Sequence, residues 1–237
     1  MRAYRADPLP PQTLELLVAA AQSASTSSNL QTWSVVAVED NRRKSRLAAL
    51  AGDQSHIVQC PLFLVWLADL ARLEDVARLT GRSAAGLDYL ECFIVAVVDA
   101  ALAAQNAVVA LESLGLGSVY IGAIRNKPEE IAAELGLPPH VFGLFGLCVG
   151  YPDPAAPTAI KPRLPQSAVL HRERYSLDAQ RDAIRTYNTA LRAFQDEQGL
   201  PPLEWTRQAI DRVKGPETLR GRDRLRDALA GFGFGLR

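Results

Sequence analysis

The sequence predicts a globular protein of mixed helices and strands that ends in a helical C-terminal segment. Its 237 residues are 48% hydrophobic, which is enough to bury a sizeable core. Four short apolar runs predict buried strands, and helical patterns lie between them. After Leu170 the chain becomes polar and carries 13 of its 26 Lys and Arg residues. We therefore expect one main domain with appendages.

The elements follow from local signals along the chain. Strands are predicted at 33–38, 62–67, 118–121 and 141–149, and the first two are expected to be central because they are apolar on both faces. Helices are predicted at 10–23, 40–52, 87–114, 126–136, 177–198, 203–213 and 219–229. Asp40 and Asn126 are predicted N-caps. Five prolines between Tyr151 and Pro165 predict an extended connection.

Composition limits the partners of the protein. The 26 basic and 26 acidic residues cancel, so no overall field attracts nucleic acid or an anionic membrane. Residues 1–8 lack the apolar region of a secretion signal, which predicts a cytoplasmic protein. The longest apolar stretch, 90–114, is interrupted by Glu91, Asp99 and Glu112, and predicts a buried helix of a soluble protein.

No residue cluster predicts a metal site or a nucleophile. The three cysteines and three histidines form neither a C-x-x-C pair nor a histidine pair at helical spacing. No serine, cysteine or pair of carboxylates stands out together with a base. This pattern favours a reaction carried by a bound cofactor.

Two segments have the composition of a ligand site. The segment STSSNLQTW at 25–33 offers hydroxyl and backbone donors to a polyhydroxylated anionic ligand, although an ordinary serine-rich connection has the same composition. Residues 115–126 place glycines on both sides of a strand, which lets a flat ligand approach the backbone. The second segment lacks the strand-to-helix context of a dinucleotide fingerprint, so a Rossmann fold is not predicted.

Two further segments offer polar groups to a ligand. Lys161 and Arg163 lie two residues apart in a proline-stiffened segment, so both cations point the same way and are able to clamp a phosphate. A solvated linker is the alternative. Gln54 follows a helix end and has an amide that suits the edge of a heteroaromatic ring, with a satisfied turn as the alternative.

Four blocks, in this order and at this spacing, resemble the NADPH-dependent nitroreductase and flavin reductase group of the nitroreductase superfamily. They are ASTSSNLQ at 24–31, VDAALAAQNA at 98–107, ESLGLGSVYIG at 112–122 and KPRLP at 161–165. The resemblance runs from Arg2 to about Tyr175. It implies an α+β fold in which helices wrap a central, mostly antiparallel sheet, and a C-terminal helical arm exchanged in a homodimer.

The same resemblance implies a division of the chain and a cofactor. Residues 1–170 are expected to form an FMN-binding core, and 171–237 an arm that packs on the core and on the partner subunit. FMN is expected at the dimer interface. Its expected contacts are Thr26 and Ser27 at the ribityl chain and ring, Gln54 at the polar edge of the ring, Tyr120, Ile121 and Gly122 at the ring face near the reactive nitrogen, and Lys161 and Arg163 at the phosphate.

The resemblance also assigns roles to arginines. Arg2 matches the last residue of an N-terminal motif, histidine-arginine-serine-any residue-arginine, that family members place on FMN; there its charge offsets that of reduced flavin. The preceding motif residues are absent because the chain begins at Met1. Either the start is assigned too late, or part of the phosphate-binding motif is lost, which predicts weaker FMN retention. Arg125 is the expected contact of the NADPH 2′-phosphate, with Arg220 or Arg222 as a further candidate.

The implied activity is that of an FMN-dependent NAD(P)H oxidoreductase. A ping-pong cycle is expected, in which NADPH or NADH reduces FMN, leaves, and is replaced at the same ring face by a nitroaromatic, quinone or flavin acceptor. The alternative is a flavin-binding or flavin-sequestering protein with little turnover, because the N-terminal FMN motif is truncated.

Overall fold

The computed structural model describes residues 1–156 and 158–237, which divide into two compact units. The first unit contains residues 1–156 and 221–237, and the second runs from 157 to 220. Pro157, one of the five prolines of the predicted extended connection, lies outside the described residues. In its described residues this connection contains no helix, and Pro152 forms an isolated bridge with Tyr4.

An antiparallel sheet lies in the first unit. Its strands, in the part of the chain that the structure describes, are β1 (Trp33–Val38), β2 (Leu62–Asp69), β3 (Gly117–Ile121) and β4 (Val141–Gly150), in the order β1-β2-β4-β3. The predicted α+β fold is confirmed, and all four strands lie where the sequence predicts them.

The prediction that β1 is a central strand is wrong. β1 stands at an edge of the described sheet and most of its residues are half-buried, whereas every residue of β2 is buried. An apolar run indicates that a strand is covered by other elements, but not how many strands pair with it. The Trp33 ring packs beside that of Trp66, with ring centroids 5.4 Å apart, which helps to explain why an edge strand is apolar.

Helices lie in both units. In the described residues they are α1 (Thr13–Gln22), α2 (Asn41–Leu50), α3 (Ser55–Gln59), α4 (Ala71–Thr80), α5 (Leu90–Ser113), α6 (Pro128–Leu135), α7 (Arg181–Glu197), α8 (Trp205–Val213) and α9 (Leu225–Gly231). Six predicted helices are confirmed with shorter bounds. The prediction of a helix over 219–229 is wrong in its first half, where Arg220 and Gly221 take positive φ angles. The sequence patterns give no prediction for α3 and α4.

The two predicted N-caps differ in outcome. The Asp40 carboxylate caps α2 by accepting a hydrogen bond from the N–H of Arg43 at 2.8 Å. The prediction for Asn126 is wrong, because Lys127 occupies the N-cap position of α6 and makes no side-chain capping bond. Pro128 opens this helix with its fixed φ angle and has no N–H to satisfy.

Two helix layers cover the faces of the sheet. Because successive strand residues point to opposite faces, Phe63 and Val65 of β2 lie in one core, and Leu64 and Trp66 lie in the other. The first core includes residues of α2, α3 and α6, and the second includes residues of α1 and α5. Both layers are therefore needed to bury the side chains of β2.

The helix α5 is the longest element of the second layer. By length and composition it is apolar enough to cross a membrane, a test that the core helix of a soluble protein also passes. In this structure Ala100, Ala103, Ala104 and Ala107 are fully buried, and the helix packs against α1, β1 and β2. The predicted long helix in the middle of the domain is confirmed.

The second unit contains α7 and α8, which are joined by aromatic and polar contacts. The rings of Tyr187 and Trp205 meet edge to face, with centroids 5.7 Å apart. The Asn188 amide donates to the hydroxyl of Thr206 at 3.1 Å. These contacts tie the two helices together with little apolar surface.

A Gly146→Ala variant is expected to be strongly destabilised. A Cβ on Gly146 would lie 2.3 Å from Cζ of Phe63 in the neighbouring strand. Overpacking of this kind costs about 1–3 kcal/mol, which urea denaturation measures. Gly86→Ala is the matched control, since nothing lies within 4 Å of its Cβ position. Equal unfolding free energies of the two variants would contradict the rigid packing of β2 on β4.

Candidate functional site

The serine-rich segment forms a strained loop between α1 and β1. Ser27–Asn29 make a short 3-10 turn, and Ser28, Asn29 and Gln31 have positive φ angles of 48°, 56° and 53°. A non-glycine residue in this left-handed region costs about 1–3 kcal/mol and persists only where surrounding contacts hold it. Other parts of the protein must therefore fix the loop.

Thr26 and Ser27 are held from the interior by Asp99 of α5. The Thr26 hydroxyl donates to Oδ2 of Asp99 at 2.5 Å, and the Ser27 N–H donates to Oδ1 at 3.1 Å. The same Thr26 oxygen accepts the N–H of Gln31 at 2.9 Å. The Thr26 hydroxyl hydrogen is thus committed to the protein, whereas Ser27 is an exposed residue.

Gln54 lies in a tight turn immediately before α3. Its side-chain amide donates to the carbonyl of Gly52 at 3.2 Å, which is the satisfied turn that the sequence left open as an alternative. Gly52 and Asp53 have positive φ angles of 77° and 57°. A Cβ on Gly52 would lie 3.7 Å from the side-chain nitrogen of Asn126, so this turn adjoins the segment that follows β3.

Two buried polar atoms near this turn have no hydrogen-bond partner within residues 1–156 and 158–237. They are Nε2 of His56 and Oδ1 of Asn126. His56 is only 8% exposed. Leaving a buried polar atom unsatisfied costs about 1–3 kcal/mol, and each such atom calls for an explanation such as a ligand or an ordered water. Near Gln54 the protein therefore has two polar atoms whose hydrogen bonds are incomplete.

Arg2 contributes positive charge to the surroundings of His56. Burial, then Arg2 and then the amino group of Met1 lower the pKa of His56 from its ordinary value of 6.5. The neutral imidazole that this favours has one ring nitrogen that donates and one that accepts. The predicted residue Arg2 therefore acts electrostatically on His56, which lies in the helix that begins directly after Gln54.

Tyr120, Ile121 and Gly122 span the end of β3 and the turn after it. Ile121 is buried in the core, while Tyr120 is 42% exposed and its ring meets that of Phe145 edge to face, with centroids 5.3 Å apart. Burial of the hydroxyl end raises the pKa of Tyr120 to about 12, so the phenol is neutral at physiological pH. Gly122, the residue after this strand, has no side chain of its own to cover the backbone.

Arg125 and Arg222 bring two positive charges to Gly122. A Cβ on Gly122 would lie 3.4 Å from a guanidinium nitrogen of Arg125 and 3.8 Å from one of Arg222. The Arg125 guanidinium also donates to the carbonyl of Leu144. Burial, and after it Arg222, lower the pKa of Arg125. An anionic ligand group at this position would offset the repulsion between the two cations.

Lys161 and Arg163 lie in the second unit, where their segment is attached to α7. The Tyr187 hydroxyl donates to the carbonyl of Pro162 at 3.0 Å. A guanidinium nitrogen of Arg163 donates to the carbonyl of Lys161, also at 3.0 Å. Both residues are exposed, so both cations are accessible to an anionic group.

The predicted residues of the first unit therefore fall into two groups. Gln54 lies in the turn beside the 3-10 turn Gly122–Asn126, which contains Gly122 and Arg125 and directly follows Tyr120 and Ile121. Thr26 and Ser27 form a separate group in the loop before β1, where both donate to Asp99 of α5.

Sequence reasoning did not assign site roles to Asp99, His56 and Asn126. For Asp99 a signal existed, because an acid inside an apolar helix needs a partner. Its partner, the serine-rich loop, is close to it only in three dimensions. Asn126 was predicted as a cap, and the polar and charged residues around His56 are separated from it along the chain. Their roles depend on burial and on contacts between distant residues.

The chain belongs to the nitroreductase family. A model described as "Nitroreductase family" matches residues 1–151, and one described as "Nitroreductase family, C-terminal domain" matches residues 161–237. The resemblance predicted from the sequence blocks is confirmed by these matches.

Individual relatives match over nearly the whole chain. It is 36% identical over 236 residues to a Cr(VI) reductase of Pseudomonas sp. (strain G-1), covering 99% of this chain and 94% of that protein. It is 37% identical over 219 residues to an FMN reductase (NADPH) of Bacillus subtilis (strain 168), covering 90% and 87%. The solved structure of B. megaterium NfrA2 superposes with a TM-score of 0.94 at 36% identity, covering 100% and 94%. Names of reductases give no support to the flavin-sequestering alternative.

Acid is expected to destabilise the protein through His56. Because the pKa of His56 is lowered in the folded state, the unfolded chain binds the proton first as the pH falls below 6.5, and stability is lost. A His56→Gln variant lacks this contribution. Urea unfolding from about pH 8 to about pH 5 is expected to show a steeper loss for the wild type. Equal slopes would contradict a neutral, buried His56.

Proposed function

We propose that this protein is an FMN-dependent NAD(P)H oxidoreductase that reduces nitroaromatic, quinone or flavin acceptors. The observation that carries the proposal is the pair of buried polar atoms, His56 Nε2 and Asn126 Oδ1, beside Gln54 in a chain of the nitroreductase family. Such an incomplete pair is expected where a ligand or an ordered water supplies the missing hydrogen bonds, and the half-buried Gln54 has an amide that suits a polar ring edge. The relatives named as a Cr(VI) reductase and an FMN reductase (NADPH) support the same activity.

The residues present fit FMN by the chemistry of their groups. Gln54, with His56 and Asn126, is proposed to hold the polar edge of the ring, and the backbone of Tyr120, Ile121 and Gly122 to lie along its face. Thr26 and Ser27 are proposed to contact the ribityl chain and ring. For the phosphate we propose Lys161 and Arg163, which combine a point charge with a planar fork.

The protein's own groups would bind and orient FMN and the dinucleotide and balance their negative charge. FMN, when bound, supplies the redox chemistry by taking a hydride equivalent from the nicotinamide and passing electrons to the acceptor in a ping-pong cycle. Arg2 places positive charge near His56, and this charge would offset the negative charge of reduced flavin if the cofactor is held there. Arg125, with Arg222 beside it, is proposed to hold a phosphate of the dinucleotide.

We also propose the reductant and the cellular compartment in which the enzyme acts. NADPH is the proposed reductant, with NADH as a second donor, because the similar FMN reductase is named for NADPH. A cytoplasmic site of action would give the enzyme direct access to this soluble reductant.

A spectroscopic titration tests the proposal. The purified protein is expected to bind added FMN, to lose the visible flavin absorbance when NADPH is added without oxygen, and to regain it with a quinone. An Arg163→Ala variant is expected to bind FMN about 10-fold to 100-fold more weakly, since a charge-assisted bond contributes about 1.5–3 kcal/mol. The ranking of acceptors by rate is expected to stay the same in that variant.

Arg174→Ala is the matched control for the phosphate assignment. Arg174 is another exposed arginine of the second unit, outside the proposed site. Wild-type FMN affinity in the Arg163 variant would refute the phosphate assignment alone. A wild-type protein that never takes up FMN would refute the proposed function.

We further propose that two copies of the chain associate through an exposed face of α5. Leu90, Ile94, Val98 and Leu102 recur every four residues along this helix and are 45% to 48% exposed. A continuous apolar stripe of this kind is typical of protein contacts. A second copy is the proposed partner, because a two-fold axis pairs the stripe with itself. Exchange of the C-terminal arm remains a prediction.

An Ile94→Glu variant is expected to shift the dimer toward monomers. The new carboxylate would have to be buried without a partner in the apolar contact. Light scattering is expected to give twice the 25.7 kDa of one chain for the wild type and the single mass for the variant. Leu79→Glu, at a 71% exposed position of α4, is expected to keep the dimer mass. A monomeric wild type would contradict the proposal.

A further inference from the structure

The carboxylate of Asp99 is surrounded by donors from one loop. It is buried in the middle of α5, where only 2% of the residue is exposed. Besides Thr26 and Ser27, Thr32 donates to it twice: its N–H lies 3.1 Å and its hydroxyl 3.0 Å from Oδ2. Four donors from residues 26–32 thus converge on one side chain.

These donors lie at both ends of the strained loop. Thr26 and Ser27 stand before the three left-handed residues 28, 29 and 31, and Thr32 stands directly after them. A single side chain therefore bonds to both ends of the loop. The hydrogen bond from Gln31 N–H to Thr26 Oγ1 joins two residues of the loop. The bonds to Asp99 attach the loop to α5.

The charge of Asp99 is balanced by the loop itself. In the described ranges, 1–156 and 158–237, no Lys, Arg or His forms an ion pair with this carboxylate. Backbone N–H and hydroxyl groups take the place of a cation. The carboxylate and the loop conformation therefore depend on each other, and neither is easily satisfied without the other.

We propose that Asp99 is a positioning residue for FMN: it fixes the shape in which the loop 26–32 meets the cofactor. The inference rests on the proposed function. Asp99 lies beneath the loop and acts through it, by turning the Thr26 hydroxyl inward and leaving the exposed residues Ser27 to Asn29 on the outer side. Because the shape exists before the ligand arrives, binding does not have to order the loop.

Asp99→Asn tests the inference with almost no change in volume. Both carboxylate oxygens accept hydrogen bonds, so either orientation of the amide sets its NH2 group against at least one donor of the loop. FMN affinity, measured by fluorescence titration well below the melting temperature, is expected to fall about tenfold or more. The visible circular dichroism of bound flavin is expected to change, because it reports the asymmetric surroundings of the ring.

Two further variants serve as a second test and as a control. Thr32→Val removes one donor to Asp99 without touching the proposed FMN contacts, and is expected to weaken FMN binding by a smaller factor. Combined with Asp99→Asn it is expected to add little, because both changes remove the same attachment. Glu112→Gln removes an exposed carboxylate from the same helix, and is expected to bind FMN like the wild type.

The outcomes separate this inference from the proposed function. Wild-type affinity and an unchanged flavin spectrum in a folded Asp99→Asn variant would overturn the role of Asp99 while leaving the function intact. If Asp99→Asn does not fold, unchanged FMN binding by Thr32→Val would overturn the role. If the wild type and the Glu112 variant also fail to bind FMN, the proposed function fails, and this inference fails with it.

Discussion

Burial of β2 on both faces and both edges is the constraint on which the rest of the structure depends. All of its residues are buried, β1 and β4 pair with its two edges, and separate helix layers cover its two faces. A strand in this position can carry no polar ligand contact itself. The groups of the candidate site lie outside this strand: in the loop before β1, in the turn between α2 and α3, and in the turn after β3.

Local sequence patterns were sufficient to locate the strands, because each is a short, nearly continuous apolar run. They did not reveal the edge position of β1, since pairing involves residues far apart in the chain. The five-residue helix α3 is too short to show periodicity, and α4 has no buried residue to create an apolar stripe. The error at Asn126 has a different cause: a residue type that suits a cap is used here as a buried polar group near Gly52.

The candidate site was predictable from the family blocks more than from composition. Gln54, Gly122 and Arg125 have nothing unusual in their local sequence, and only the fold places them around one turn. The donors to Asp99 come from residues 67 to 73 positions away, a relation that no local pattern contains. A lone acid in an apolar helix indicates that something must satisfy it, but the identity of the partner follows only from the packing of α1, α5 and β1.

The chain leaves the first unit at residue 156 and returns to it at residue 221, so the second unit is an insertion anchored at both ends. Closing a longer insertion is inexpensive, since each doubling of its length costs only about 0.6 kcal/mol of loop entropy. Residues 157–220 are thus able to change in length and composition during evolution without removing the sheet or the loop attached to Asp99. This insertion carries Lys161 and Arg163, while Arg222 lies beyond it in the first unit. If Lys161 and Arg163 bind phosphate as proposed, a change in the insertion would alter ligand binding without changing the sheet of the first unit.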